Sequence, residues 1–237
     1  MPTLVMTFLK APRPGTVKTR LGREMGFAEA TAVYRDLAEQ QLRRIPDEFR
    51  TEIHYAPHGA VGEMRAWLGR KFNYRVQRSG DLGQRMRHAF AHAFERGCQS
   101  IIAIGSDCPE LDEPCLRRAA ALLATVDVVL GPATDGGYYL IGLRRPAPRL
   151  FEEIEWSTAT VLATTLERVR ECQLTHALLR EMEDIDDLAA LRRHQAKGTA
   201  GPVREDSASA SVRHHGCGRA AWAVDRIKPQ AVSRAGS

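Results

Sequence analysis

Short apolar runs rich in branched residues alternate along most of the chain with longer segments in which apolar side chains recur every three or four positions. Runs of the first kind, at residues 3–9, 52–55, 74–76, 100–104, 127–130 and 138–143, predict strands, because branched side chains suit a pleated, buried surface. Segments of the second kind, at 28–44, 59–68, 82–96, 113–123 and 158–171, predict helices, with Asp112 and Ser157 as N-caps ahead of the last two. Residues 173–178 add a further strand. Strands that alternate with helices pack as a mostly parallel sheet, so the predicted fold class is α/β, Rossmann-like, with helices flanking the sheet. Such sheets bind ligands beyond the carboxyl ends of their strands, and the loops there are where chemistry is expected.

Composition narrows the class without naming an activity. At 43% hydrophobic and 27% charged residues the chain is of globular type, and collagen, coiled coil and wholesale disorder are excluded. No apolar run approaches the roughly 18–20 residues that span a bilayer, and the start lacks the basic and apolar regions of a signal peptide. The expected compartment is therefore the cytoplasm. Five cysteines, odd in number, widely spaced and never as C-x-x-C, support neither a disulfide framework nor a zinc knuckle and are expected to be reduced.

The net charge of +5 raises the question of nucleic acid, and its distribution answers it. Residues 1–196 hold 27 Lys and Arg against 26 Asp and Glu, whereas residues 197–237 hold 7 against 3. The basic excess belongs mostly to an Ala-, Gly-, Ser- and Arg-rich tail, so no nucleic-acid partner is expected for the body. Residues 1–196 are thus read as one folded α/β domain and 197–237 as a basic, disordered extension, with at most a short helix over 218–227. His214, His215 and Cys217 lie close in sequence, but a fourth metal ligand and a scaffold are missing.

Four loops carry candidate chemistry. The one after the first strand packs Lys10, Arg13, Lys18 and Arg20 around Pro12, Pro14 and Gly15 with no acid between them, which suits nucleotide phosphates or, equally, a solvated basic loop. It matches neither a Walker A nor a G-x-G-x-x-G pattern. Asp107, in the GSDCPEL stretch, stands directly after the apolar run 101–104, where it either holds Mg2+ or Mn2+ or caps the next helix. Asp135, Gly136 and Gly137 precede an aromatic strand and read as a site of close backbone approach, a hairpin turn, or both. EDIDDL places Asp184 and Asp186 on one side of an extended stretch, as a functional cluster or as a solvated face, with Asp187 able to cap the helix that follows. A smaller signal is SGDLGQRM, where Gly80 and Asp81 could cradle a base or ribose with Arg85 to hand.

Taken in order, KAPRPGTVKTRL, GDLGQRM, GSDCPEL, DGGYYLIGL, WST and DID resemble the glycosyltransferase-like proteins catalogued as a domain of unknown function and as radical-SAM and selenodomain-associated transferases. The resemblance spans roughly residues 3–192. It implies the GT-A fold of the nucleotide-diphospho-sugar transferase superfamily, whose members include 2-phospho-lactate guanylyltransferase and molybdenum-cofactor nucleotidyltransferases. Carried over residue by residue, it implies that Lys10, Arg13, Gly15, Lys18, Arg20, Gly80 and Asp81 surround a nucleotide. Lys18, Asp107 and Asp135 would act in catalysis, Gly136, Gly137 and Tyr138 would line the acceptor side, and Asp107 with Asp184 or Asp186 would hold Mg2+ or Mn2+. The chain departs from the family's D-V-D-T-P-E-D-L at Asp186-Asp187-Leu188.

The expected function is metal-dependent transfer of a sugar from a nucleoside diphosphate to a small-molecule acceptor. Nucleotidyl transfer with release of pyrophosphate is the alternative, favoured by the density of cations in the first loop. A catalytically silent nucleotide-binding scaffold is the alternative of another class.

Overall fold

The structure is a computed structural model that describes residues 2–199, the side chains as far as residue 196. Its axis is the first apolar run, β1 (Leu4–Lys10), paired in parallel with β2 (Arg50–Ala56) on one side and with β4 (Ile101–Ile104) on the other. β3 (Asn73–Val76) lies outside β2, again parallel. Beyond β4, β6 (Tyr138–Leu143) runs antiparallel to both β4 and β5 (Val128–Pro132), and β7 (His176–Leu178) adds to β5 in parallel. The resulting order is β3-β2-β1-β4-β6-β5-β7.

Because side chains alternate along a strand, the apolar runs feed two cores. Val5, Leu9, Ile53, Ile102 and Ile104 face α2 (Phe27–Arg43), α3 (Val61–Leu68) and α5 (Glu113–Leu122). Leu4, Met6, Ile101 and Ala103 face α4 (Leu82–Glu95), α6 (Val161–Glu171) and a 3-10 turn at Pro148–Phe151. A smaller cluster of Leu21, Leu37, Ile185 and Leu191 seats α1 (Thr19–Met25) and α7 (Leu188–Thr199) against α2. A fully buried side chain of this kind contributes about 1.5–3 kcal/mol, so both faces of β1 anchor the sheet.

The expected strands and helices are present with shifted ends, and three features differ. α1 lies in a stretch read as loop, because seven residues with basic side chains give no apolar period to detect. α6 begins at Val161 rather than 158, and Ser157 is not its cap: Ser157 has a positive φ of 65°, and Thr158 Oγ1 accepts the Thr160 N–H. α7 continues past residue 196. Asp112 does cap α5, accepting the Cys115 N–H at 3.0 Å, and Asp187 accepts the Ala190 N–H at 2.8 Å at the start of α7. Cys98, Cys108, Cys115 and Cys172 are free thiols. Among the described residues no helix is long and apolar enough to cross a membrane. The tail helix at 218–227 and the His214, His215 and Cys217 trio lie outside the described residues.

Candidate active site

From β1 the chain crosses to β2 on one side, while β4 lies on the other, so the carboxyl ends of β1 and β4 flank a topological switch point. Three stretches meet there: the loop 11–18 after β1, residues 105–111 after β4, and the acidic stretch before α7. Ile185 fixes the third. Its side chain is buried against Leu21 and Leu191, and its N–H donates to the Asp107 carbonyl at 2.8 Å. An apolar residue between two acids is thereby driven into the core, and Asp184 and Asp186 are left at the crevice.

Lys18 sits at the centre of this junction. Its Nζ lies 2.8 Å from Asp107 Oδ1 and 3.1 Å from Asp186 Oδ1, and it donates to the Ile185 carbonyl at 2.5 Å. Of its three donors, two make hydrogen bonds, to the Ile185 carbonyl and to Asp186, and Asp107 is its ion-pair partner. The side chain is 4% exposed. Burial alone would pull its pKa down, but Asp107 and Asp186 more than offset this and hold it above the usual lysine value. The backbone of Lys18 is left-handed at φ 45°, a conformation that costs a non-glycine residue on the order of 1 kcal/mol.

Asp184 has the opposite surroundings. Its Oδ1 is buried without a hydrogen-bond partner, and desolvation, with the neighbouring carboxylates of Asp107 and Asp135, pushes its pKa up to about 7. The Asp135 carboxylate accepts the Gly137 N–H at 2.9 Å, so the DGG turn brings a fourth acid within electrostatic reach. Three oxygen-bearing side chains, Asp107, Asp184 and Asp186, are the hard donors that Mg2+ and Mn2+ prefer. With the ammonium between Asp107 and Asp186, however, no three Asp, Glu, His or Cys among the described residues form a ready-made ligand set.

Two adjoining cavities open at this edge. One, of about 480 Å3, is lined by Lys10, Thr16, Lys18, Arg20, Asp107 and Asp186. The other, of about 300 Å3, shares Phe8, Lys10, Gly105 and Asp107 with it and is lined also by Met86, Leu111, Tyr138, Ile141 and Asp184. Arg13 points elsewhere, forming a bidentate pair with Glu63 on α3 at 2.9 and 2.5 Å. Gly15, at φ 79°, shapes the turn. Gly80, at φ 116°, leads into Asp81, whose carboxylate caps α4 by accepting the Gln84 N–H at 2.8 Å. Of the predicted residues, then, Lys10, Lys18, Arg20, Asp107, Asp184, Asp186 and Tyr138 line the cavities, while Arg13 and Asp81 are engaged in local pairs.

Two contributors carried no sequence signal. The Tyr34 hydroxyl, from the apolar face of α2, accepts the Lys10 N–H at 2.8 Å and donates to the Lys10 carbonyl at 3.0 Å, fixing the end of β1. Gln77 spends its amide N–H groups on the carbonyls of Leu9 and His54, which ties the ends of β1 and β2 beneath the second cavity.

Gly136 has both properties expected of its motif. Its φ is 87°, and a Cβ there would lie 2.2 Å from the Ala159 carbonyl oxygen. Its own carbonyl accepts the Leu162 N–H at 2.9 Å, so the β5–β6 hairpin is docked onto the start of α6. Gly136→Ala is expected to cost about 2 kcal/mol from left-handed strain and overpacking against backbone that has nowhere to go. Thermal melting checks this, and an unchanged Tm would show that the hairpin is free to move away.

A family model described as an uncharacterised protein conserved in bacteria (DUF2064) matches residues 41–158. A candidate nucleotide-diphospho-sugar transferase of Desulfovibrio desulfuricans G20 is 33% identical, with 87% of this chain and 92% of that one covered and a TM-score of 0.81. More distant structures share the fold. Rv0371c of Mycobacterium tuberculosis H37Rv, solved as a manganese complex, aligns at 17% identity and a TM-score of 0.51 over 80% of this chain and 96% of its own. CMP:2-keto-3-deoxy-manno-octonic acid synthetase, solved with CTP, aligns at 11% identity and 0.51 over 84% and 99%. No curated protein matches the chain.

Proposed function

The chain belongs to the DUF2064 family of bacterial proteins, and on that premise we propose that it transfers a glycosyl group from a nucleoside-diphosphate sugar to a small acceptor with a divalent cation bound. The observation that carries this reading is the division of the four cations of the first loop. Arg13 is neutralised by Glu63, and Lys18 by Asp107 and Asp186. Lys10 and Arg20 remain at the larger cavity and form no ion pair among the described residues. Two cations free of ion pairs in the ligand-free protein are enough to hold a diphosphate bridge, which supports a nucleoside-diphosphate donor. The name of the 33% identical relative supports the same choice.

In this reading Lys10 and Arg20 hold the diphosphate as the bond from the sugar carbon to the phosphate oxygen breaks and negative charge gathers on that oxygen. Cations already in place stabilise that charge more in the transition state than in the ground state. Tyr34 keeps Lys10 in position by holding both backbone groups of that residue. Asp107, Asp184 and Asp186 would hold the Mg2+ or Mn2+, for which the partnerless buried oxygen of Asp184 is the fitting donor, and the ion would add positive charge against the leaving diphosphate. The acceptor is assigned to the side of Gly136, Gly137 and Tyr138, next to the Asp135 carboxylate.

A thermal-shift panel tests the reading without knowledge of the acceptor. Nucleotide sugars and nucleoside triphosphates are each added with Mg2+, Mn2+ or EDTA. A ligand at 100 times its Kd stabilises the native state by about 2.7 kcal/mol. At this chain length that is expected to raise Tm by roughly 5–10 °C for one nucleotide sugar with metal. A metal-dependent shift with a triphosphate and none with any nucleotide sugar replaces glycosyl by nucleotidyl transfer. No shift with either class overturns both transferase readings.

A further inference from the structure

The role of Lys18 goes beyond charge in a phosphate loop. Its ammonium is nearly sealed from water, and its polar partners are three oxygens: one carboxylate oxygen from the β4 loop, one from the acidic stretch, and the Ile185 carbonyl. Hard oxygens converging on a cation from separate loops are what a divalent ion requires, and here a lysine supplies the cation. The same three contacts hold the ammonium among carboxylate and carbonyl oxygens rather than facing a phosphate. Lys18 therefore cannot serve both as the fastener seen here and as a phosphate ligand, and the two roles belong to two states of the site.

We propose that Lys18 is a tethered cation that closes the junction between Asp107 and Asp186 in the ligand-free protein and competes with the divalent metal for those two carboxylates. This rests on the metal-dependent reading above. The ammonium and the ion claim the same oxygens, so one must leave for the other to enter. On departure the lysine gains free donors at the lining of the 480 Å3 cavity, beside Lys10 and Arg20. Asp184, whose inner oxygen has no partner, gives the entering ion a ligand that the ammonium does not use. Holding Lys18 in place also ties the Asp107 loop to the Ile185 segment, so the carboxylates stay gathered while no metal is present.

The test uses the whole chain and Mn2+ alone, without nucleotide. Free Mn2+ is counted by its electron paramagnetic resonance signal in titrations of the wild type, Lys18→Met and Lys18→Arg. Competition predicts that Lys18→Met binds Mn2+ at least about ten-fold more tightly than the wild type. Lys18→Arg, which keeps the charge, should stay within about three-fold of it. Affinity that is unchanged or weaker in a Lys18→Met protein with a native circular dichroism spectrum overturns the proposal.

A second measurement needs no variant. Amine acylation located by peptide mass spectrometry should leave Lys18 unmodified in EDTA and modify it in saturating Mn2+, while Lys71, exposed ahead of β3 and outside both cavities, reacts equally in both. If Lys18 stays protected with Mn2+ bound, the ammonium does not leave and the proposal is wrong. Either failure is separate from that of the transferase reading, which the nucleotide-sugar panel decides.

Discussion

Turnover of Asp107→Asn is expected to fall by a factor of about 100 or more with the nucleotide sugar that the panel selects, while the protein stays folded. The substitution keeps the side chain's size and its hydrogen-bonding oxygen but removes the charge. What fixes the loop is untouched, because Ile185 N–H donates to the backbone carbonyl of Asp107 rather than to its carboxylate. Lys18 loses one of two anionic partners and keeps Asp186 and the Ile185 carbonyl. The cost therefore falls on the negative charge that gathers a cation against the leaving diphosphate. Initial rates and the metal-dependent part of the thermal shift are the two readouts, and both should drop together. A variant that turns over within ten-fold of the wild type would place the cation elsewhere.

Much of the frame could be read from the chain. The alternation of runs such as 101–104 with amphipathic segments was enough to predict strands, helices and a mostly parallel sheet, since burial on both faces needs no partner to be known in advance. Asp107 was legible for the same reason: a carboxylate immediately after an all-apolar strand must stand at a strand end. The antiparallel reversal at β6 was signalled only by Asp135-Gly136, whose hairpin tendency competed with a functional reading, and the structure satisfies the hairpin and the close approach at once.

What the sequence left open are contacts between residues far apart in the chain. The four cations of the first loop look equivalent in composition. Only the fold reveals that α3 brings Glu63 to Arg13, and that the stretch before α7 brings Asp186 and a carbonyl to Lys18. The acidic stretch itself reads as a solvated face until Ile185 is seen in the core, since alternation around one buried residue is too short to register as a period. Tyr34 and Gln77 act through hydrogen bonds to backbone, which leave no trace in residue pattern.

The largest structural effect is expected far from this chemistry, at Glu52. This carboxylate, 1% exposed on β2, receives a bidentate pair from Arg96 at 2.6 and 2.9 Å and Arg75 Nε at 3.0 Å, with His54 Nε2 at 3.6 Å. It thereby fastens β2 to β3 and to the C-terminal end of α4, the helix whose other end, through Leu82, Arg85 and Met86, borders the active-site cavities. Burial works to raise its pKa, but the bonds from Arg96 and Arg75 and their positive charges win and hold it well below the usual carboxylate range. Glu52→Gln leaves two guanidinium groups without their counter-charge. Breaking a buried pair costs about 3–5 kcal/mol. Because Arg75 and Arg96 remain 36% and 24% exposed, the expected loss is smaller, about 2–4 kcal/mol. At this chain length that lowers Tm by roughly 5–15 °C. The sign with pH follows from the depressed pKa: the stabilisation is fully present above the unfolded value of 4.5 and is lost as pH falls from there toward the folded-state value. Denaturant melts of the two proteins should therefore differ most near neutral pH and converge below 4.5. A difference that stays constant between pH 7 and pH 3.5 would mean that the glutamine acts through packing rather than through the lost charge.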